Sequence, residues 1–307
     1  MSQAAPIIPV ILFAYARPAH LARALACLRE NDVLLIYAFA DGAKGEADAA
    51  AVAETRALLH AVDWCEMHII EREKNLGLGR NVLAGVSDVA LRHDAFIVWE
   101  DDLICVPGTY AWLCAALQHY AKDSRVMSVT GWTHPRVTPA DVGEQPYFDA
   151  RAESWVWGSW SRAWHGMNEE TAWEKLRVVE RHGMPRAAYG ADLPQMARVE
   201  QRTNLWAVRW LYHHFQHGGL CVRPSWSMVE HTGYDVMASN LPNPIISLDW
   251  TNPSWRPAPS LPSKWPEPCE HFQCRAMWRA ANPPWRFGLP GRMLGWLQHF
   301  WRWKHRP

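Results

Sequence analysis

Glu100, Asp101 and Asp102 stand side by side directly behind the apolar run Ala95-Phe96-Ile97-Val98-Trp99. Three adjacent carboxylates repel one another and none can be buried unpaired, so at the end of a core strand they demand a compensating cation. A hard divalent ion, Mn2+ or Mg2+, suits such a site because it takes oxygen ligands and leaves positions open for phosphate oxygens. The alternative is an acidic turn at the surface. Two further features could serve the same chemistry: Asp41-Gly42, behind a second apolar run, and the Gly-rich turn Asn75-Leu76-Gly77-Leu78-Gly79-Arg80-Asn81. A carboxylate such as Asp41 can bind base or ribose hydroxyls, and a helix N-terminus carrying Arg80 suits a pyrophosphate. Each feature alone is commonplace, since Asp-Gly and Gly-x-Gly usually mark turns. Together they describe a nucleoside diphosphate site.

These features require a scaffold that brings them to one edge. The first 130 residues alternate strand and helix: Ile7 to Tyr15 is a strand, Pro18 opens a helix with Leu21, Leu25 and Leu28 on one face, and Val33 to Ala40 is a second strand. Glu46 to Val62 is a helix, Glu66 to Ile70 a short strand, Val82 to Arg92 a helix, and Ala95 onward the central strand. Helix Tyr110 to Tyr120 and strand Val126 to Thr130 follow. Such alternation predicts an α/β fold with a mostly parallel sheet flanked by helices, whose ligands collect at the carboxyl ends of the strands. A dinucleotide fingerprint is excluded, because Val82 stands where its third glycine is required.

The 307 residues, 49% of them hydrophobic, can bury a large core in one elaborated domain or two closely packed ones. The net charge of zero hides an asymmetry: residues 1 to 150 carry 12 Lys+Arg against 19 Asp+Glu, and residues 151 to 307 carry 19 against 12. The basic half could face phosphates or a membrane surface. Seven scattered cysteines without a CxxC pair point to reduced thiols and a cytoplasmic setting. No signal peptide and no span of about eighteen apolar residues is seen. Nothing marks a nucleic-acid partner.

The stretch Glu153-Ser154-Trp155-Val156-Trp157-Gly158-Ser159-Trp160-Ser161-Arg162-Ala163-Trp164 holds four tryptophans in twelve residues. Indoles stack on the C–H faces of sugars and are also core residues, so Trp155, Trp157 and Trp160 are read as either a sugar platform or packing.

The ordered set Arg17-Pro18, Asp41-Gly42, Asn75 to Asn81, Glu100-Asp101-Asp102 and Trp155-Val156-Trp157-Gly158-Ser159-Trp160 resembles bacterial GT-A-fold glycosyltransferases of the family-2-like kind. These are distantly similar to β-1,2-N-acetylglucosaminyltransferases, which carry a comparable Glu-Asp-Asp motif. Ser227 to Asp235 also looks like a segment near the end of such domains, so the likeness runs from about Ile7 to Asn240. It implies a GT-A (Rossmann-like) domain over residues 1 to 240, with a nucleotide-sugar half (1 to 130) and a Trp-rich acceptor half (131 to 240). Residues 241 to 307 form a Pro/Trp-rich extension.

Carried over, the resemblance implies that Asp41 contacts base or ribose, that Glu100 and Asp101 line the donor site, and that Asp102 is the main metal ligand. His231 would make a second metal or phosphate contact. The relatives' catalytic carboxylate lies in a Trp-Asp-Asp-Trp segment, but the similar stretch here reads Trp206-Ala207-Val208-Arg209-Trp210. Asp192 and Glu200 just upstream are the candidate bases, with Glu153 as another. The expected activity is metal-dependent transfer of a hexosyl or N-acetylhexosaminyl group from a nucleotide sugar, with UDP-sugar first among donors. The acceptor would be a glycan or lipid-linked sugar in cell-surface polysaccharide synthesis, and the stereochemistry inverting. The alternative is a non-catalytic carbohydrate-binding or interaction protein that keeps the fold. A sugar nucleotidylyltransferase would need a Gly-rich basic loop after the first strand, where Ala14-Tyr15-Ala16-Arg17-Pro18 stands. From Arg292 a helical reading separates a basic face (Arg292, His299, Arg302, Arg306) from an aromatic one (Trp296, Phe300, Trp301). That pattern suits either the surface of an anionic membrane or docking on the core.

Overall fold

A computed structural model describes residues 7–203, 205–233, 250, 252 and 255–287. The expected C-terminal amphipathic helix, and most of the stretch from 234 to 254, lie outside the described residues.

The N-terminal half begins with β1 (Val10–Ala14), α1 (Pro18–Glu30), β2 (Leu35–Ala40), α2 (Glu46–His60), β3 (Glu66–Glu71), α3 (Leu78–Ala90) and β4 (Ala95–Glu100). β1 and β2 are buried along their whole length, which is why they read as unbroken apolar runs in the sequence. α1 starts on Pro18, whose missing N–H costs nothing at a helix start. α3 begins four residues earlier than the Val82 expected from periodicity. Its N-cap is Gly77, with φ of +78°, and Gly79 and Arg80 therefore lie in its first turn.

β5 (Leu103–Cys105), α4 (Thr109–His119), β6 (Val126–Thr130), β7 (Tyr147–Asp149) and β8 (Trp157–Trp160) follow. After them come α5 (Ser161–Trp164), α6 (Ala172–Arg181), α7 (Asp192–Thr203), α8 (Trp206–His217), β9 (Leu220–Arg223) and β10 (Val229–His231). The main sheet has the order β3-β2-β1-β4-β8-β6-β9-β7; a second, two-stranded sheet pairs β10 with β5. The large sheet is mostly parallel, and its helices flank it. β8 runs antiparallel between β4 and β6, and β7 antiparallel to β9.

The tryptophan-rich stretch therefore builds the middle of the sheet. Trp157 and Trp160 are buried, and only Trp155 of the three sugar-platform candidates stays partly exposed. The Trp157 ring lies 5.8 Å from Trp164, 5.8 Å from Trp206 and 5.1 Å from Trp210, welding the sheet to α5 and α8. Burying one such indole contributes on the order of 4–6 kcal/mol gross, before the entropy of ordering it. Residues 255–273 cross α4, where Trp265 stacks on His119 and the Tyr120 hydroxyl donates to the Pro266 carbonyl. The chain then passes β7 and enters α9 (Cys274–Ala281) and α10 (Pro284–Phe287).

Two histidines on α8 give the fold an acid sensitivity. His213 and His214 are buried, and burial pushes both down to about 3, with Lys175 adding to the shift of His213 and His213 to that of His214. Unfolding restores ordinary imidazoles near 6.5, so the unfolded chain binds more protons below that pH. The stabilisation is complete above about 6.5 and is lost as pH falls toward 3. At pH 5 each histidine is expected to lower stability by about 2 kcal/mol. His214→Gln should remove about half of this acid dependence in thermal melts recorded from pH 7 to 5.

Candidate functional site

β2 and β3 lie on one side of β1 and β4 on the other. Loops leaving the carboxyl ends of β1 and β4 therefore diverge and open a crevice, the usual ligand site of an open α/β sheet. The acidic triplet follows β4, and Arg17 follows β1 through Ala16, whose φ is +46°. The Arg17 fork spans two of the acids: Nη1 lies 2.9 Å from Asp102 Oδ2, and Nη2 donates to Asp101 Oδ1. The Tyr15 backbone N–H also donates to Asp101, at 3.2 Å, and the Trp99 indole closes the turn by donating to the Leu103 carbonyl at 2.8 Å.

Among the described residues, three carboxylates meet a single guanidinium here. Burial pushes Glu100 above the ordinary carboxylate range, and Asp102 and Asp101 push it further. Burial raises Asp101 as well, against the opposing pull of Arg17. For Arg17, burial works against the charged form, but the two aspartates outweigh it and hold the guanidinium firmly charged. The cluster is short of positive charge. Asp102 Oδ1 is also buried with no hydrogen-bond partner among the described residues.

Antiparallel pairing of β5 with β10 puts His231 opposite Leu103 and hence beside Asp102. The Thr232 N–H and hydroxyl both donate to the Asp102 carbonyl, at 2.8 and 3.0 Å. His231 Nε2 lies 3.8 Å from Asp102 Oδ2, while Nδ1 accepts from the Gly233 N–H at 3.1 Å. Burial holds this imidazole below its ordinary range, Asp102 opposing and Arg17 reinforcing that shift. A neutral ring accepting at Nδ1 carries its proton on Nε2, which makes His231 a donor toward Asp102 or a phosphate oxygen. The metal contact expected of His231 would need the other tautomer, with Nε2 free to bind.

Gly233 is packed against the carboxylate: a Cβ there would fall 2.2 Å from Asp102 Oδ2. Gly233→Ala must push Asp102 aside. The expected result is a tenfold or greater loss of Mn2+-dependent nucleotide affinity by titration calorimetry, on the order of what disturbing a ligand's support costs.

Among the described residues no group of three or more His, Cys, Asp or Glu side chains is arranged to hold a metal alone. Asp102 fits a different arrangement. Its one unpartnered oxygen, in a cluster short of positive charge, suits an ion that arrives with a diphosphate and takes most of its ligands from it.

Asp41, Asn75 and Arg80 reach the same edge, since β1 to β4 run parallel and each feature follows a strand's carboxyl end. Their roles differ from one another. The Asp41 carboxylate accepts N–H bonds from Gly42 (2.9 Å), Leu76 (2.8 Å) and Gly77 (2.9 Å), and the Asn75 amide donates to the Gly42 carbonyl at 2.8 Å. The Asp41 carboxylate thus spends three of its roughly four accepting positions on its own turn and the N-terminus of α3, which leaves little for the base or ribose contact that the resemblance implies. Arg80 is exposed on that first turn.

Both proposed bases are engaged elsewhere. Asp192 forms a two-pronged ion pair with Arg151 (2.6 and 3.2 Å), and Glu200 pairs with Arg209 (2.9 Å) while accepting from the Ala172 N–H. Neither hydrogen-bonds to the acidic cluster, and freeing either carboxylate means breaking a buried pair. Glu153 lies in the segment bordering the site: two residues on, the Trp155 ring packs 4.8 Å from His231.

The residues that sequence reasoning left without a role are Arg17 and Gly233. Arg17 was visible in the Arg-Pro pair behind the first strand, once that strand is placed beside the one ending in acids. Gly233 carries no such signal.

No family model matches this chain, and no curated protein does. Among solved structures it is similar to the mannosyltransferase PcManGT from Pyrobaculum calidifontis in complex with GDP-Man and Mn2+. That match has a TM-score of 0.36 and 14% identity over 59% of this chain, and the chain spans about half (48%) of that protein. A UDP-glucose pyrophosphorylase complexed with UDP-glucose gives 0.32 and 10%, covering 54% of this chain and 80% of that one. An active-site mutant of LgtC gives 0.32 and 12%, covering 57% and 64%. Likeness at this level leaves the chemistry to the residues themselves.

Proposed function

We propose that the chain is a metal-dependent glycosyltransferase of GT-A type that moves a hexosyl or N-acetylhexosaminyl group from a nucleoside diphosphate sugar to a glycan or lipid-linked acceptor. The observation that carries this is the buried Oδ1 of Asp102, unpartnered among the described residues, in a cluster where those residues set three carboxylates against one guanidinium, at the switch point of the sheet. Mn2+ or Mg2+ held by Asp102 would neutralise charge on the departing diphosphate. Arg17, 2.9 Å from Asp102 Oδ2, fixes the orientation of that carboxylate. His231 Nε2–H donates to a phosphate oxygen, and the first turn of α3, with Arg80, faces the same anion. Glu100 and Asp101 line the donor pocket, and attack from the face opposite the leaving group gives inversion.

A role in cell-surface polysaccharide synthesis at the cytoplasmic face of a membrane fits a lipid-linked acceptor and the basic, aromatic sequence from Arg292. No helix among the described residues is long and apolar enough to cross a membrane. The engagement of Asp192 and Glu200 in ion pairs favours the second reading, a carbohydrate-binding protein without turnover. Titration of UDP and GDP with and without Mn2+, followed by release of free nucleotide from a panel of UDP- and GDP-sugars, separates the two. Mn2+-dependent binding with turnover supports the transferase, and binding without turnover by any donor supports the second reading. Failure to bind either nucleotide counts against the transferase and leaves the carbohydrate-binding reading standing.

A further inference from the structure

We propose that Glu153 is the catalytic base that takes the proton of the acceptor hydroxyl; this deepens the transferase function proposed above and rests on it. The step needs a carboxylate that borders the crevice, keeps an oxygen available and is not bound to Arg17. Asp101 and Asp102 are held by that arginine, Asp192 and Glu200 by Arg151 and Arg209. Asp149 is fully buried between Arg223 and the Trp278 indole, and Glu230 precedes His231 on β10, so its side chain points to the face opposite the one that carries His231 and Asp102.

Glu153 remains. Its Oε1 accepts from the Ser154 N–H at 2.9 Å, which fixes the carboxyl group, and Oε2 makes a long ion pair of 3.8 Å with Arg223 Nη1 and no hydrogen bond to it. The side chain keeps 16% of its surface exposed. Trp155, two residues on, is partly exposed and packs against His231, so the segment runs along the wall of the crevice beside Asp102. Burial raises Glu153 above the ordinary range. Arg223 from β9 and Arg151 pull it back, and Asp149 from β7 adds to the rise. A base somewhat stronger than an ordinary glutamate serves proton removal better.

In the step, the acceptor O–H proton passes to Glu153 Oε2 while the acceptor oxygen forms its bond to the anomeric carbon. The bond from that carbon to the diphosphate oxygen breaks, and its electron pair leaves with the nucleotide. Glu153 then returns the proton to solvent.

The test uses the full chain with Mn2+ and a donor that it turns over, with water as acceptor and free nucleotide as readout. Glu153→Gln is expected to lower kcat by about 10²–10⁴-fold while nucleotide affinity and donor KM stay within about twofold. The acid limb of the kcat–pH profile should vanish with the carboxylate. Azide, a nucleophile that needs no deprotonation, should restore nucleotide release by E153Q and yield a glycosyl azide. Glu153→Asp, which keeps a carboxylate, should retain the acid limb at a lower rate, and it decides the matter if E153Q does not fold. The proposal is overturned if E153Q turns over within twofold of the parent, if it loses nucleotide affinity together with activity, or if E153D lacks the acid limb. A parent chain that turns over no donor sinks the transferase function and this proposal together.

Discussion

Asp102→Asn is expected to lower nucleotide affinity in the presence of Mn2+ by at least about 100-fold, above what the loss of a supporting contact costs, and to leave the weak metal-free affinity almost unchanged. The substitution keeps the size of the side chain and removes one of three crowded negative charges. Oδ1 loses the charge that would hold a hard cation, and an amide is a poor substitute. Stability moves the other way from function. Asp102 is the largest charged contribution to the rise at Glu100, after burial, so its neutralisation should bring Glu100 back toward the ordinary carboxylate range. The melting temperature of the metal-free protein is therefore expected to hold or rise. Calorimetric titration with UDP and GDP, paired with metal-free melts, checks both. An unchanged Mn2+-dependent affinity would remove the metal from this site, and a collapse in melting temperature would recast Asp102 as structural.

Much of this site was legible because its strands are buried on both faces. β1, β2 and β4 show as continuous apolar runs, and a parallel sheet obliges Arg17, Asp41 and Glu100 to emerge at one edge. The long-range pairings were not legible. β8 enters the sheet antiparallel between β4 and β6, and nothing local in Trp157-Gly158-Ser159-Trp160 distinguishes a central strand from a sugar platform. Thr232 bonds to Asp102 across 130 residues of sequence, so the pairing of β10 with β5, which seats His231 and Gly233, leaves no periodic signal. Asp192 and Glu200 illustrate a different gap. A carboxylate's type shows in the sequence but its partner does not, and Arg151, 41 residues from Asp192, turns a candidate base into half of an ion pair.

Arg17→Ala is expected to destabilise the metal-free protein by about 3 kcal/mol near pH 7.5, the low end of the range for removing one partner of a buried pair because the Arg17 side chain keeps 17% exposure. The loss leaves Asp101 and Asp102 facing each other and Glu100 without a counter-charge. The carboxylates can respond only by taking up protons. Folded-state values raised above the unfolded ones make the folded chain bind more protons, so this group's contribution is complete at low pH and is lost as pH rises through the folded values. The gap between variant and parent should therefore narrow from pH 7.5 to 5, even while His213 and His214 weaken both proteins alike. Arg17→Lys should fall between them, because an ammonium keeps the charge but cannot fork across two aspartates. Mn2+ gives the sharpest comparison. If the cluster lacks positive charge, the ion should raise the melting temperature of Arg17→Ala more than that of the parent. An equal or smaller rise would mean that Arg17 already satisfies the acids and that the divalent ion has no place beside them.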